Sequence, residues 1–219
     1  MKLNIEILDQ PLSIRGQTIF TILDTRVFAQ LVEAFYNYDS NGQLKLFFDN
    51  QDRLSENEVM LITDILSYNL NSTPVLKAIY QDLERQLNED LETKTFIEKV
   101  ISDVAIVLKD LTVTHELDIS INEPDIKHVF KGFDLRLNDD VKTIFDTMLS
   151  ILDVYHYLPK KKLLVFINAL SYLTVGEKES LQEEISLRQI DVLFIEPRKV
   201  AGMTQYLLDE DYFLFEDMV

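Results

Sequence analysis

Oxygen-bearing side chains stand at every second position in the run Glu116, Asp118, Ser120 and Asn122, and Glu123 follows directly. In an extended segment that spacing puts the first four on one face. Carboxylates crowded in this way repel, and a hard cation such as calcium, which takes six to eight oxygens, relieves the repulsion. A solvated strand face in an acidic protein accounts for the same residues without a ligand. A second candidate is Glu196, which follows the apolar run Val192 to Ile195 and precedes Pro197, Arg198 and Lys199. Open parallel sheets carry their sites at such strand ends. Metal-dependent bond cleavage there needs a second acid, and a surface ion pair is the plainer reading. A third is Lys160, Lys161 and Lys162 after Pro159, the one contiguous basic run, placed where a helix should end and a strand begin. It suits phosphate contact or stabilisation of the helix C-terminal dipole, the second slightly favoured.

Other chemistries are excluded by what is missing. There is no cysteine among the 219 residues, which removes disulfides, thiolate metal sites and cysteine nucleophiles together. The three histidines, His115, His128 and His156, are too far apart for a zinc motif of sequence neighbours. Of the five glycines, no two stand at the spacing of a dinucleotide or Walker phosphate loop. A net charge of −17 repels nucleic acid and anionic membranes as a whole-molecule field, so phosphate contact requires a local cationic patch. The composition is that of a globular protein with a substantial core. Met1 to Asp9 alternates polar and apolar residues rather than forming a secretory signal, and no apolar run approaches the length of a membrane span, so a cytoplasmic location is expected.

Three blocks of elements must position these residues. Over 1–72 the pattern is mixed: strands at Leu3 to Ile7, Thr18 to Leu23, Leu44 to Phe48 and Val59 to Asp64, with a helix carrying Val27, Leu31 and Phe35 on one face. Over 73–158 it is helical. Thr73 and Pro74 open one helix, Phe96 to Leu111 form a second, and a third runs from about Asp140 until Pro159 stops it. These three are expected to pack as a bundle, with an extended segment at Leu117 to Ile121 and a short helix near Asp125 to Lys131 between the second and third. Over 159–219 the mixed pattern returns: the apolar strand Leu163 to Ile167, a capping box of Thr174 and Glu177, then the strand Val192 to Ile195. Short apolar strands alternating with helices predict an α/β domain with a mostly parallel sheet, interrupted by a helical insertion domain. The terminal run Gln205 to Leu214 alternates acids with aromatics; burial of Leu207, Leu208, Phe213 and Leu214 against the sheet is favoured over an exposed partner-binding tail.

Several blocks also carry a resemblance. Lys160 to Asn168, Ser180 to Leu187, Val192 to Arg198 and Leu208 to Leu214, with Leu12, Ile14, Arg15, Gly16 and Met60 to Leu66 upstream, closely resemble the Csn-two family of CRISPR-associated proteins, subtype II-A. The resemblance spans nearly the whole chain, and no block in it is a catalytic signature. It implies a degenerate nucleoside-triphosphatase-like α/β fold with a helical insertion. It also implies a non-enzymatic spacer-acquisition protein that assembles as a homotetrameric ring, binds double-stranded DNA ends without sequence preference through a basic central hole, takes calcium, and works with other CRISPR adaptation and effector proteins.

The family's acidic cluster follows the second long helix, where Glu116, Asp118 and Glu123 match it; Ser120, Asn122 and His128 stand where further carboxylates are expected, which implies fewer or weaker ions. A ring reconciles an acidic subunit with a polyanion, because a few cations from each copy converge on one channel. Arg15, Arg53, Lys131, Lys160, Lys161 and Lys162 are the expected lining. The rivals are an interaction scaffold without DNA contact and a divergent metal-dependent nuclease or triphosphatase.

Overall fold

A computed structural model describes residues 1–122, 125–138, 140 and 143–217. The chain opens with β1 (Lys2–Asn4), β2 (Leu12–Ser13), β3 (Gln17–Ile22), α1 (Thr25–Tyr36), β4 (Lys45–Phe47) and β5 (Val59–Ile62). Three helices follow: α2 (Thr73–Glu89), α3 (Leu91–Val113) and α4 (Ile126–Gly132). The rest runs α5 (Ile144–His156), β6 (Leu163–Ile167), α6 (Val175–Arg188), β7 (Val192–Glu196), β8 (Gln205–Leu208) and β9 (Leu214–Asp217). The chain divides into two compact units, Met1–Asn69 with Asp140–Val219, and Leu70–Asp139.

The first unit is built on a six-stranded sheet in the order β5-β6-β7-β3-β8-β9. All neighbours are parallel except β8 and β9, which form an antiparallel edge. The central strands β6 and β7 read LLVFI and VLFIE because a parallel sheet covered on both faces leaves no wet side for alternating polar residues. Phe166 and Phe194, both fully buried, stack across these strands with ring centroids 5.3 Å apart. Helix α1 starts at Asp24, whose carboxylate accepts from the amides of Arg26 and Val27 at 2.7 and 3.0 Å. Its Val27, Leu31 and Phe35 join Phe20, Leu193 and Ile195 in one core cluster. A small antiparallel sheet, β2-β1-β4, completes this core through Leu3, Leu12 and Leu46.

The expected insertion over 73–158 differs from the structure at its C-terminal end. Helix α5 belongs to the α/β unit, packs on α6, and buries Met148, Ile151, Leu152, Val154 and Tyr155. A helix apolar on that many sides needs core around it, which a bundle of three could not supply.

In the helical unit Asp90 both ends α2 and caps α3, so the two helices meet at a single residue. Tyr80 of α2 packs its ring at a tilt of 52° against Phe130 of α4 and donates its hydroxyl to Leu135 O at 2.7 Å, while Lys127 pairs with Glu84 at 2.7 Å. Asn71 and Leu137 exchange two hydrogen bonds at the base of this unit. Helix α3 is different: none of its 23 residues is buried. Leu117 to Ile121, expected as an extended strand, is irregular and mostly exposed; no strand among the described residues pairs with it.

Candidate functional site

Several cations of the α/β unit stand at the amino ends of the parallel strands, although Arg26, Arg198 and Lys199 follow the carboxyl ends. Gln17 and Leu164 both pair with Val192, so Arg15 and Lys162, two residues earlier, lie level with each other. Their backbones are two strand spacings apart, about 10 Å. Lys160 and Lys162 are exposed in the turn that leads from α5 into β6, and Arg15 is exposed in the turn into β3. Lys161 is not presented in the same way. Its ammonium is half-buried and donates to Val59 O at 2.7 Å, and burial pulls its pKa below the usual lysine value. Arg188, paired with Asp153 and Glu184, and Asp191, which accepts from the Gly16 amide at 2.7 Å, stand on the same side. Arg53 lies elsewhere in this unit, against the small sheet, with its guanidinium donating to Ser40 O at 3.0 Å. Lys131 belongs to the helical unit, exposed in the last turn of α4, where it stabilises the helix dipole. Three of the six expected cations, Arg15, Lys160 and Lys162, thus stand exposed at the amino ends of the strands, with no side-chain partner among the described residues.

Glu116 and Asp118 sit exposed in the irregular segment after α3, and Glu123 lies outside the described residues. Among the described residues no three Asp, Glu or His side chains are grouped tightly enough to hold a metal ion. His128 is engaged at the start of α4, its ring paired with the Asp125 carboxylate at 2.8 Å. Two exposed carboxylates fall well short of the six to eight oxygens that calcium requires. The described residues of one chain therefore supply too few oxygens to hold the ion by themselves.

Glu196, expected at a surface ion pair, is instead 1% exposed at the carboxyl end of β7. Its carboxyl accepts from the amide of Leu170 at 2.9 Å, and burial pushes its pKa up to about 7 against the opposing pull of the Leu170 and Ala169 amides and Lys178. No second carboxylate joins it among the described contacts, so it anchors the loop after β6 rather than forming a pair of acids. Gln205, which sequence reasoning missed, does comparable structural work. Buried, it accepts from Thr21 Oγ1 at 2.8 Å and from the Val200 amide at 3.0 Å, and donates to Val200 O at 3.0 Å. The signal was a lone amide among the apolar residues of β8. At the start of α1, where a phosphate would meet free helical amides, the Asp24 carboxylate already accepts those hydrogen bonds.

The sequence matches the family described as CRISPR-associated protein (Cas_Csn2) over residues 37–212. It is 44% identical to the CRISPR-associated protein Csn2 of Streptococcus agalactiae over 220 aligned residues, covering all of both chains. It is 41% identical to the CRISPR-associated protein Csn2 of Enterococcus faecalis over 214 residues, 98% of each chain. The crystal structure of Stu0660 of Streptococcus thermophilus shares the fold, with a TM-score of 0.62 at 10% identity over 99% of this chain and 76% of that one. The family match and the two full-length relatives agree with the blocks that carried the resemblance, and on them the chain belongs to the Csn2 family of CRISPR-associated proteins.

Proposed function

We propose that this chain acts in CRISPR adaptation in the cytoplasm, as a homotetrameric ring that binds double-stranded DNA ends without sequence preference and breaks no bond. The observation that carries the reading is the bare face of α3. Phe96, Val100, Val104, Val107 and Leu111, spaced by three and four along one stripe, are all exposed. A contiguous apolar stripe of that length marks an interface, and association of copies is what lets an acidic subunit gather Arg15, Lys160 and Lys162 into one cationic lining. Asp24 at the start of α1 supports a nucleoside-triphosphatase-like fold that has given up its phosphate site, since a carboxylate there repels the phosphate the fold would otherwise hold. Calcium support rests on the acidic segment containing Glu116, Asp118 and Glu123, with the remaining oxygens supplied from outside it.

Gel shifts with linear and covalently closed duplex, at two salt concentrations and with calcium or a chelator, test the reading. Linear duplex is retained and closed duplex released, with retention falling steeply as salt rises because phosphate neutralisation releases counterions. Equal retention of both forms removes the end-binding claim. Retention of neither favours the scaffold reading, which the internal bonding of Arg53 and Lys161 also supports. Cleaved product restores a metal-dependent nuclease.

A further inference from the structure

The six-stranded sheet ends differently on its two sides. At β5 the Glu58 carbonyl accepts the Lys162 amide from the β6 side at 2.7 Å, and strand alternation then turns the Val59 carbonyl outward. The Lys161 ammonium covers that carbonyl. A lysine on an outer strand is a common guard against further pairing. At β9 the one lysine ion pair among the described residues is Lys199 with the Asp217 carboxylate at 3.3 Å, a side-chain contact at the last residue of the strand that leaves the outward carbonyls of Leu214 and Glu216 uncovered. Leu208 spends its carbonyl on the Leu23 amide toward β3, so Leu207 and Gln205 face β9 and pair with Phe215 and Asp217. By the same alternation Leu214 and Glu216 point their N–H and C=O groups away from the sheet. No strand among the described residues pairs with that side, and Leu214–Asp217 contains no lysine, arginine or proline.

The edge is built rather than frayed. Asp209 Oδ1 accepts from the amides of Asp211 and Phe213 at 3.0 and 2.9 Å, and Tyr212 takes the left-handed φ of 66° that closes the turn. The expected burial of Phe213 does not occur: it is 67% exposed, and Phe215, on the same face of the strand, is 43% exposed. Glu216 on the other face and Glu210 and Asp211 at the tip are exposed carboxylates. Outward backbone groups, two exposed aromatics on one face and exposed carboxylates on the other face and in the turn therefore belong to one edge strand and its hairpin.

We propose that the outer edge of β9 receives a basic, extended segment of a partner protein, which adds a seventh strand to the sheet. The added backbone pairs with Leu214 and Glu216; alternate side chains lay cations along Glu210, Asp211 and Glu216 and apolar groups along Phe213 and Phe215. A second copy of this chain is the wrong occupant, because it brings the same carboxylates to the same edge and like charges facing across strands destabilise the pair. The proposal stands apart from DNA binding, which uses the opposite charge.

The full-length chain is titrated against a fluorescent alternating lysine–valine octapeptide, a block peptide of the same composition, and the alternating peptide N-methylated throughout. The alternating peptide binds, and the other two are weaker by about tenfold or more, since one lacks the alternation and the other the backbone donors. The variant E210Q/D211N/E216Q weakens the alternating peptide by about tenfold, while E179Q/E183Q on α6 leaves it unchanged. Equal binding of alternating and block peptides, an unaffected triple variant, or no binding overturns the proposal. Peptide affinity that falls as protein concentration rises marks a second copy on the edge and overturns it too. Retention of linear DNA is unchanged in the triple variant, so failure here leaves the DNA reading where it stands.

Discussion

Helices α5 and α3 carry the same kind of apolar spacing and meet opposite fates. Of the 13 residues of α5, Met148, Ile151, Leu152, Val154 and Tyr155 are buried; of the 23 of α3, none is. Only a thin stripe of α3, including Ile97, Ile101 and Ala105, is half covered within the helical unit, which leaves the Phe96 to Leu111 stripe to solvent. Periodicity thus specifies that a helix has an apolar face and says nothing of what covers it. In the α/β unit the cover of α5 is intramolecular, and the apolar side chains that stay exposed there, such as Leu66, Leu187 and Phe213, belong to other elements rather than to one helical stripe. The helical unit keeps a surplus, which is the physical basis for reading it as the part that joins copies.

If that contrast holds, damage to the two units should appear in different measurements. The largest effect is expected in the α/β core: Phe194→Ala removes a ring stacked on Phe166 and should cost about 3–5 kcal/mol in chemical unfolding. A loss near zero would mean that the sheet core is not what holds this unit. Next comes Glu196→Gln, which removes the buried titrating carboxyl while keeping its shape. The folded value near 7 stands above the ordinary value of 4.5, so the folded state holds the proton more tightly than the unfolded chain. The stability contributed by Glu196 is complete below about pH 4.5 and is lost as pH rises through 7. The gap between variant and parent should therefore widen in the variant's favour across that window, by on the order of 3 kcal/mol. Parallel pH profiles would show that Glu196 is better solvated than its burial indicates.

On α3 the order of effects reverses. Val104→Asp with Val107→Asp should leave unfolding of the α/β unit unchanged, since both side chains are already exposed, at 53% and 61%. Mass in solution should fall toward that of a single chain, because charge on an apolar interface is desolvated without a partner. Unchanged mass would show that the stripe is not an interface and would remove the main support for the ring.

What the sequence disclosed follows the same division. The apolar runs of β6 and β7, Pro74 in the first turn of α2 and the capping box of Thr174 and Glu177 were all legible, because each is a local pattern with a local cause. Facts that depend on distant neighbours were not. Glu196 reads as a surface acid until α6 and the loop after β6 close over it, and Lys161 reads as a free cation until the β5 edge turns a carbonyl toward it. The alternation of Glu116 to Asn122 predicts a strand face, yet a strand needs a partner, and the sequence cannot say that none arrives. Family membership was legible from ordered blocks; the placement of the cations at the amino ends of neighbouring strands was not, since it follows from the parallel register of β3, β7 and β6.

The smallest expected effects come from two aspartates that perform the same chemistry in the two units. Asp24 caps α1 through the Arg26 and Val27 amides, and Asp90 caps α3 through the Thr93 amide and hydroxyl at 3.1 and 2.7 Å. Replacing either by alanine leaves helical amides to water alone. Because α1 is locked into the core by Val27, Leu31 and Phe35, loss of its cap is felt by the whole unit, and Asp24→Ala should lower global stability by about 1 kcal/mol. Helix α3 has no buried residue to transmit such a change. Asp90→Ala should instead accelerate amide hydrogen exchange around Thr93 while leaving the unfolding midpoint of the α/β unit in place. An Asp90→Ala midpoint that moves as far as that of Asp24→Ala would mean that the two units unfold together, and the separation of roles between a self-sufficient core and a helical arm with apolar surface to spare would have to be given up.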